Sequence, residues 1–475
     1  MSDDRLERYH ELVSDVAAFR AACNRPLPST CWMPEGHRSA LEVCPPSGLE
    51  PLSWTRNGFR IRAKDRPFGA HFLLGGFLIQ EEAAMMAVQA MGLQPGERVL
   101  DLCAAPGNKT VHMAEAVGIH GCVVGNDVSA ARLQVLRGLV DRFRLPQVLL
   151  TVHDGTSFPD RSLESSDVPV RFDAVLVDVP CSCEGTSRKN PSVLRPGSRN
   201  RDASLPDTQE ALLRRAIRLT RPGGRVLYAT CTFAPEENEM VVNRVVSRPG
   251  REGSVSIEPF AIQGARLDPG IDHWNGQTLH PSLVETRRIW PHRNDTGGFF
   301  LALLRKEGTV VRDDWPAHPD TKVADSGVLP WSAYAPDEAF HHAFRILPTE
   351  RRRNRLVGAA TPELPFNVVS AGMSGLSQAS RYSRPSSGLA PLLAHHAQAG
   401  TADLSKDDIL PFLCRQTVDP LELVPPCDRT RYVLVRSGPL ALGMGHVDST
   451  GRIDSLFPVN QAGLSVSEWL DGLER

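Results

Sequence analysis

No apolar run in this 475-residue chain approaches the roughly 20 residues needed to cross a bilayer. The opening segment, MSDDRLERYHELV, is acidic and polar and lacks the apolar centre of a signal peptide. These absences lead us to expect a cytoplasmic protein with no membrane partner. An excess of charge of one sign is missing too. The net charge is −2, so there is no global electrostatic case for nucleic acid, and such a partner would need a local patch. Ligand-like cysteine spacing is scarce. Cys23, Cys31, Cys44, Cys103, Cys122, Cys414 and Cys427 are scattered, as expected of free thiols in a reducing compartment. No strong internal repeat is visible. Neither GxGxxG nor GxxxxGK[ST] occurs where a phosphate loop would be needed.

What is present reads as an ordinary globular chain, 41% hydrophobic and 23% charged. Its length predicts two or three domains. Residues 1–75 form a leading region, with Leu12, Val13, Val16 and Phe19 at helical spacing. Residues 76–306 alternate strands (RVLDLC, CVVGNDV, QVLLTVHD, FDAVLVDVP, RVLYATC, GGFFLALLRK) with helices. Among the helices, DTQEALLRRAIRLT is stopped by RPGG, and PEENEMVVNRVV is opened by Pro235. That alternation predicts a mostly parallel sheet covered on both faces. Residues 307–340 read as a Pro- and Asp-rich linker. Residues 341–475 begin with a basic cluster, Arg345, Arg351, Arg352, Arg353 and Arg355, and end in a small β-rich module.

Ligands of such sheets sit outside the carboxyl ends of the strands, and the chemistry-bearing residues cluster there. VLDLCAAPGNKT is a strand, a loop of small residues and a helix start, which lets the backbone approach a ligand and offers free N–H groups. Asp127 stands at the next strand end, where a carboxylate meets a ribose diol. Asp154 ends the third strand and could meet an adenine amino group. Each could instead be a turn aspartate or helix cap. The loop and the two carboxylates, in succession after apolar runs, favour a nucleoside crevice, and the missing phosphate fingerprint favours S-adenosylmethionine over NAD.

Cys181 and Cys231 end the fourth and fifth strands. Neighbouring parallel strands lie about 5 Å apart, so both thiols can reach one crevice. They could be core thiols. They could be metal ligands, since Cys181 and Cys183 form a CxC, but no second pair or histidine cluster completes a site and no metal is expected. Or they could be a reacting pair. Carbon 5 of cytosine is a poor nucleophile until a thiolate adds to C6. A second group must then help remove the C5 proton and expel the thiolate, and a carboxyl at N3 would stabilise ring charge. Asp178, Cys181 and Cys231 are the right groups for that chemistry.

LDLCAAPGNKT, NDVS, DVPCSCEGTSRKNP, YATCTFAPEENE and IWPHRNDTGGFFLALLRK resemble, in order and spacing, the signature blocks of the Nop/Sun family of RNA cytosine-5 methyltransferases. FLIQEEAAMMAV resembles the segment before the family's first strand. YVLVRSGPLALGMGHVD is more weakly similar to the RNA-binding end module of bacterial rRNA members. The resemblance implies a Rossmann-like class I methyltransferase domain with a final antiparallel strand. It implies that Cys231 is the nucleophile and Cys181 the release group, with Cys183 incidental. It further implies an S-adenosylmethionine site from Cys103, Ala104, Ala105, Pro106, Gly107, Asn108, Lys109, Asp127, Asp154 and Asp178, with Lys109 partnering Asp178. Asn108 replaces the family's usual glycine. The Arg-Val-Asn segment near the N-terminus is replaced by STCWMPEGH, and the tryptophan after RKNP is absent. Arg188, Lys189, Arg195, Arg199 and Arg201 could then grip RNA phosphates, the alternative being a solvated basic loop. The expected substrate is rRNA, with tRNA the rival, and the expected state is a monomer. A catalytically silent RNA-binding assembly factor is the alternative of a different class.

Overall fold

The computed structural model describes residues 6–35, 48–62, 74, 76–160, 170–195, 204–309, 332–347, 353–362, 364, 366–378, 383–386, 388–427 and 430–457. Its centre is a sheet built from β1 (Arg98–Asp101), β2 (Cys122–Asn126), β3 (Val148–Thr151), β4 (Phe172–Asp178), β5 (Thr220–Thr230) and β6 (Phe299–Lys306). Helices α1 (Asn108–Val117), α2 (Ala130–Phe143), α3 (Leu205–Leu219) and α4 (Glu239–Ser247) flank it. The strands lie in the order β3-β2-β1-β4-β5-β6. The first five are parallel, and β6 runs antiparallel to β5. The order reverses between β1 and β4, which opens a crevice beyond their carboxyl ends.

The apolar run of β4 shows why the sheet is covered twice. Ala174 and Leu176 pack in one core with Leu133, Leu136 and Val140 of α2. Val175 and Val177 pack in the other with Leu212, Leu213 and Ile217 of α3 and Val241 of α4. Alternate residues of a strand point to opposite faces, so a strand buried on both sides must be apolar throughout.

Several boundaries differ from the sequence expectation. The helix before RPGG does end there, at Leu219, but RPGG itself lies inside β5, where the β4–β5 register shifts between Phe172 and Ala174. Pro235 does not open a helix. Residues 235–238 form turns and α4 begins at Glu239. The leading helix divides into a 3-10 turn, Glu7–Leu12, and a helix, Val16–Cys23, because Asp15 accepts from Ala18 N at 2.8 Å and caps the second piece. Part of the expected linker is packed: Tyr334 and Phe340 are buried. After it, residues 344–385 contribute a four-stranded sheet and residues 401–455 a six-stranded one. Between strands of the first, Ser370–Ala371 pairs with β3 and so extends the central sheet. Arg355 of the basic cluster is buried against Ala371 O and Gly372 O, while Arg351 and Arg352 lie outside the described residues. No described helix is long and apolar enough to cross a membrane.

One buried ion pair ties the far edge of the sheet to the site. Arg288, on the strand Arg287–Ile289, donates through Nε to Glu239 Oε1 at 2.6 Å and through a terminal nitrogen to Oε2. It also donates to Phe233 O at 2.9 Å, two residues past Cys231. The two side chains are 3% and 0% exposed, so losing one partner strands a buried charge. We predict that Arg288→Leu loses about 3–5 kcal/mol in urea unfolding. Arg288→Leu/Glu239→Leu should recover much of that loss. Equal loss in both proteins would mean that the stranded charge is not the cause.

Candidate active site

β1 ends in Asp101, and the chain turns through residues 102–107 into α1. Gly107 adopts φ +114, and a Cβ there would collide with Leu136, so glycine is required on both counts. The peptide Ala105–Pro106 is cis. Asn108, in the usual glycine's place, stands inside the helix, where its side chain donates to Ile79 O at 3.1 Å. Its replacement therefore costs the loop no left-handed backbone position.

Asp127, just past β2, holds the same loop. Its Oδ2 accepts from Ala105 N at 3.2 Å and lies 3.3 Å from Arg132. Its Oδ1 accepts from Ser129 N at 2.9 Å. Asp154 is exposed beyond β3 and accepts from the backbone and hydroxyl of Thr156 at 2.9 and 2.8 Å. In this structure both carboxylates thus also perform the turn-stabilising role open to them from the sequence.

Asp178 ends β4, and Lys109 Nζ donates to its Oδ2 at 2.7 Å. Burial alone would depress the Lys109 ammonium; Asp178, with Asp101 and Cys231, outweighs it and the net shift is upward. The chain then continues through Val179, whose N–H reaches Ala229 O of β5 at 3.1 Å. That pairing brings Cys181 beside Cys231, with the two sulfurs 3.4 Å apart. Cys183 joins them, its Sγ 3.9 Å from that of Cys181. The sequence treated Cys183 as incidental, yet all three sulfurs lie within 4.8 Å of one another. The CxC spacing was the visible signal; the approach of Cys231 came only with folding. Hydrogen bonding with Cys181 and Cys231 pulls Cys183 down, whereas hydrogen bonding with Cys183 and Cys231, together with burial, pushes Cys181 up. Hydrogen bonding with Cys181 lowers Cys231, but hydrogen bonding with Cys183 and burial outweigh it and the net shift is upward.

Polar groups that the sequence reading did not assign hold this loop. Glu237 Oε2 accepts from Ser182 N and from Gln209 Nε2, both at 2.9 Å, and Gln209 also donates to Pro180 O. Ser182 and Thr232 share a hydroxyl hydrogen bond at 2.7 Å. Gly185 N donates to Cys231 O and Gly298 N to Gly185 O, each at 2.9 Å. From the leading region, Tyr9 Oη donates to Glu184. Phe19 packs edge-on against Phe233, which stacks on Trp290 at 5.4 Å.

Arg188 corrects an expectation. It does not face solvent to grip phosphate. Its side chain is 1% exposed, and its donors go to Arg25 O, Pro26 O, Thr296 O and Asp295 Oδ1. A guanidinium so saturated is a brace between the leading region and the 295–298 turn. Lys189 and Arg195 are exposed; Arg199 and Arg201 lie outside the described residues.

Residues 88–305 match the family model described as 16S rRNA methyltransferase RsmB/F. Over these residues the chain is similar to the Nop/Sun family whose signature blocks its sequence resembles. Proteins with similar sequences include the ribosomal RNA small subunit methyltransferase F of Vibrio cholerae, 35% identical over 312 residues, covering 62% of this chain and 61% of that protein. The human 28S rRNA (cytosine(4447)-C(5))-methyltransferase is 30% identical over 289 residues, covering 59% and 34%. A crystal structure of a methyltransferase homolog from Pyrococcus horikoshii superposes with a TM-score of 0.52 at 27% identity, covering 63% of this chain and 93% of that one. This chain thus spans about three fifths of the Vibrio relative's length. The fold is the Rossmann-like class I methyltransferase fold.

Asp101 gives the site a pH signature. Burial raises its carboxyl from 3.8 to about 7, against the bond from Thr110 and the charge of Lys109. A raised folded pKa means that stability is fully present below about pH 4 and is lost as pH climbs through 7. Asp101→Asn removes that slope. Its melting temperature should exceed that of the unmodified protein at pH 8, with the margin shrinking toward pH 4. A constant margin in differential scanning fluorimetry would contradict the assignment.

Proposed function

We propose that this chain transfers a methyl group from S-adenosylmethionine to C5 of a cytosine in structured RNA, rRNA being favoured. The observation that carries the reading is the 3.4 Å approach of Cys231 to Cys181 beside Asp178, at adjacent strand ends. The family relatives named for rRNA methylation, one of them at cytosine C5, support the substrate class.

The crevice suits that methyl donor. Helix α1 starts at Gly107 with no side-chain cap, leaving first-turn N–H groups for a carboxylate. The buried Asp101 Oδ1 has no hydrogen-bond partner, and a ligand ammonium or hydroxyl could supply one. Asp127 keeps lone pairs for a ribose diol, and Asp154 stands past β3 on the adenine side. When bound, the donor supplies an electrophilic methyl on sulfonium.

The residues of the chain do the rest. A cytosine flipped out of its RNA stack enters above the cysteines. The Cys231 thiolate adds to C6, which makes C5 an enamine carbon able to form the new C–CH3 bond. Asp178, held by Lys109, is placed to bond the ring at N3 as charge develops there. Cys181 assists removal of the C5 proton; the electron pair of that C–H bond re-forms the ring double bond and expels Cys231. An amino-directed methyltransferase would need no thiol, and a silent assembly factor no paired thiols beside a carboxylate. Exposed Lys189 and Arg195 remain candidates for phosphate contact, and we read the C-terminal sheets as the RNA-binding module.

We predict that Cys231→Ala lowers methyl incorporation into RNA from a deletion strain by at least about a hundredfold. Cys181→Ala should instead stall after addition, leaving a protein–RNA adduct that survives denaturing electrophoresis. Normal turnover by Cys231→Ala would sink the mechanism. Bisulfite sequencing of RNA from the deletion strain identifies the cytosine.

A further inference from the structure

Two thiols suffice for the chemistry above, yet three converge. Cys183 is half-buried and takes a left-handed backbone conformation, φ 59, at which its Sγ donates to Cys181 O at 3.2 Å. That unusual turn folds its sulfur back over the pair instead of away from it. The separations, 3.4 and 3.9 Å, bracket the roughly 3.8 Å between two sulfurs that share one tetrahedral Zn2+ at about 2.3 Å. All three sulfurs fall within 4.8 Å of one another, close enough for a single ion to contact them together.

We propose that Cys181, Cys183 and Cys231 form a binding site for one thiophilic divalent cation, Zn2+ in chemical class, and that its occupancy switches methyl transfer off. Three sulfur donors select soft or borderline cations over Mg2+ and Ca2+. A three-ligand site leaves a fourth position for water, as open zinc sites do. Each S–H that becomes a Zn–S bond releases its proton, so one ion displaces up to three protons, fewer by any thiolate already present. Binding therefore tightens as pH rises. Three thiolates around a divalent ion leave one net negative charge, and the Lys109 ammonium, which interacts with Cys231, offsets it. With its lone pair held by the metal, Cys231 cannot add to C6.

The binding half of this proposal stands on geometry alone; the inhibitory half rests on the proposed function. Reduced, metal-free full-length protein carrying Cys414→Ser and Cys427→Ser, which removes two thiols outside the cluster, is titrated with Co2+ alone. We expect sulfur-to-cobalt charge-transfer bands that saturate at one equivalent and are bleached by Zn2+. Adding Cys183→Ser should weaken binding at least about tenfold. As a check that needs no variant in the cluster, Zn2+ should protect the Cys181, Cys183 and Cys231 peptides of the unmodified protein from alkylation. In the methylation assay Zn2+ should stop turnover and a chelator should restore it. Absence of thiolate bands together with no protection overturns the site, as does undiminished binding by the Cys183→Ser protein. Tight binding by a protein that is inactive when metal-free leaves the site standing and removes the proposed function.

Discussion

The parallel pairing of β4 with β5 sets Asp178 opposite Ala229, and the geometry of the site descends from that register. Three residues beyond Asp178 and two beyond Ala229 bring two thiols within 3.4 Å. A shift of one residue would turn every side chain of β4 to the opposite face. It would also drive Val175 and Val177 out of the core they share with α3 and α4. The packing of β4 on both faces thus holds the register that brings the sulfurs together.

Beyond the strand ends the backbone has no ladder to hold it, and buried polar groups take over. Glu237 and Gln209 grip the turn that carries Cys181. Arg288 and Glu239 anchor the turn that carries Cys231. Arg188 braces the leading region against the 295–298 turn. Buried pairs of this kind add little net stability compared with apolar packing, but they are costly to break halfway. Their effect is to keep the loops in a single arrangement, which sulfurs a few ångströms apart require.

Much of this was legible in one dimension. The strand–helix alternation, the small-residue loop after RVLDLC and the blocks DVPC and ATC each depend on neighbours within about ten residues. The misreadings share a cause. Arg188 looks like a free cation in a basic loop, and only the carbonyls of Arg25 and Pro26, more than 160 residues away in sequence, bury it. Pro235 looks like a helix start, but the turns feeding Glu239 toward Arg288 displace the helix. Ser370–Ala371 carries too short a pattern to announce a strand, and pairs because the open edge of β3 offers it partners.

By itself the sequence determined the class of fold, the strand ends at which chemistry would sit, and the residue types that limit what the chemistry can be. Periodicity and turn composition are local, and a parallel sheet leaves one place for a crevice. Tertiary structure alone decided which of those residues meet. It made Arg188 a brace instead of a phosphate ligand and tied the leading region to the turns that carry the cysteines. It also gathered Cys183 with Cys181 and Cys231. Contact across a sheet is fixed by register and loop closure, and neither is written in the spacing of residues along the chain.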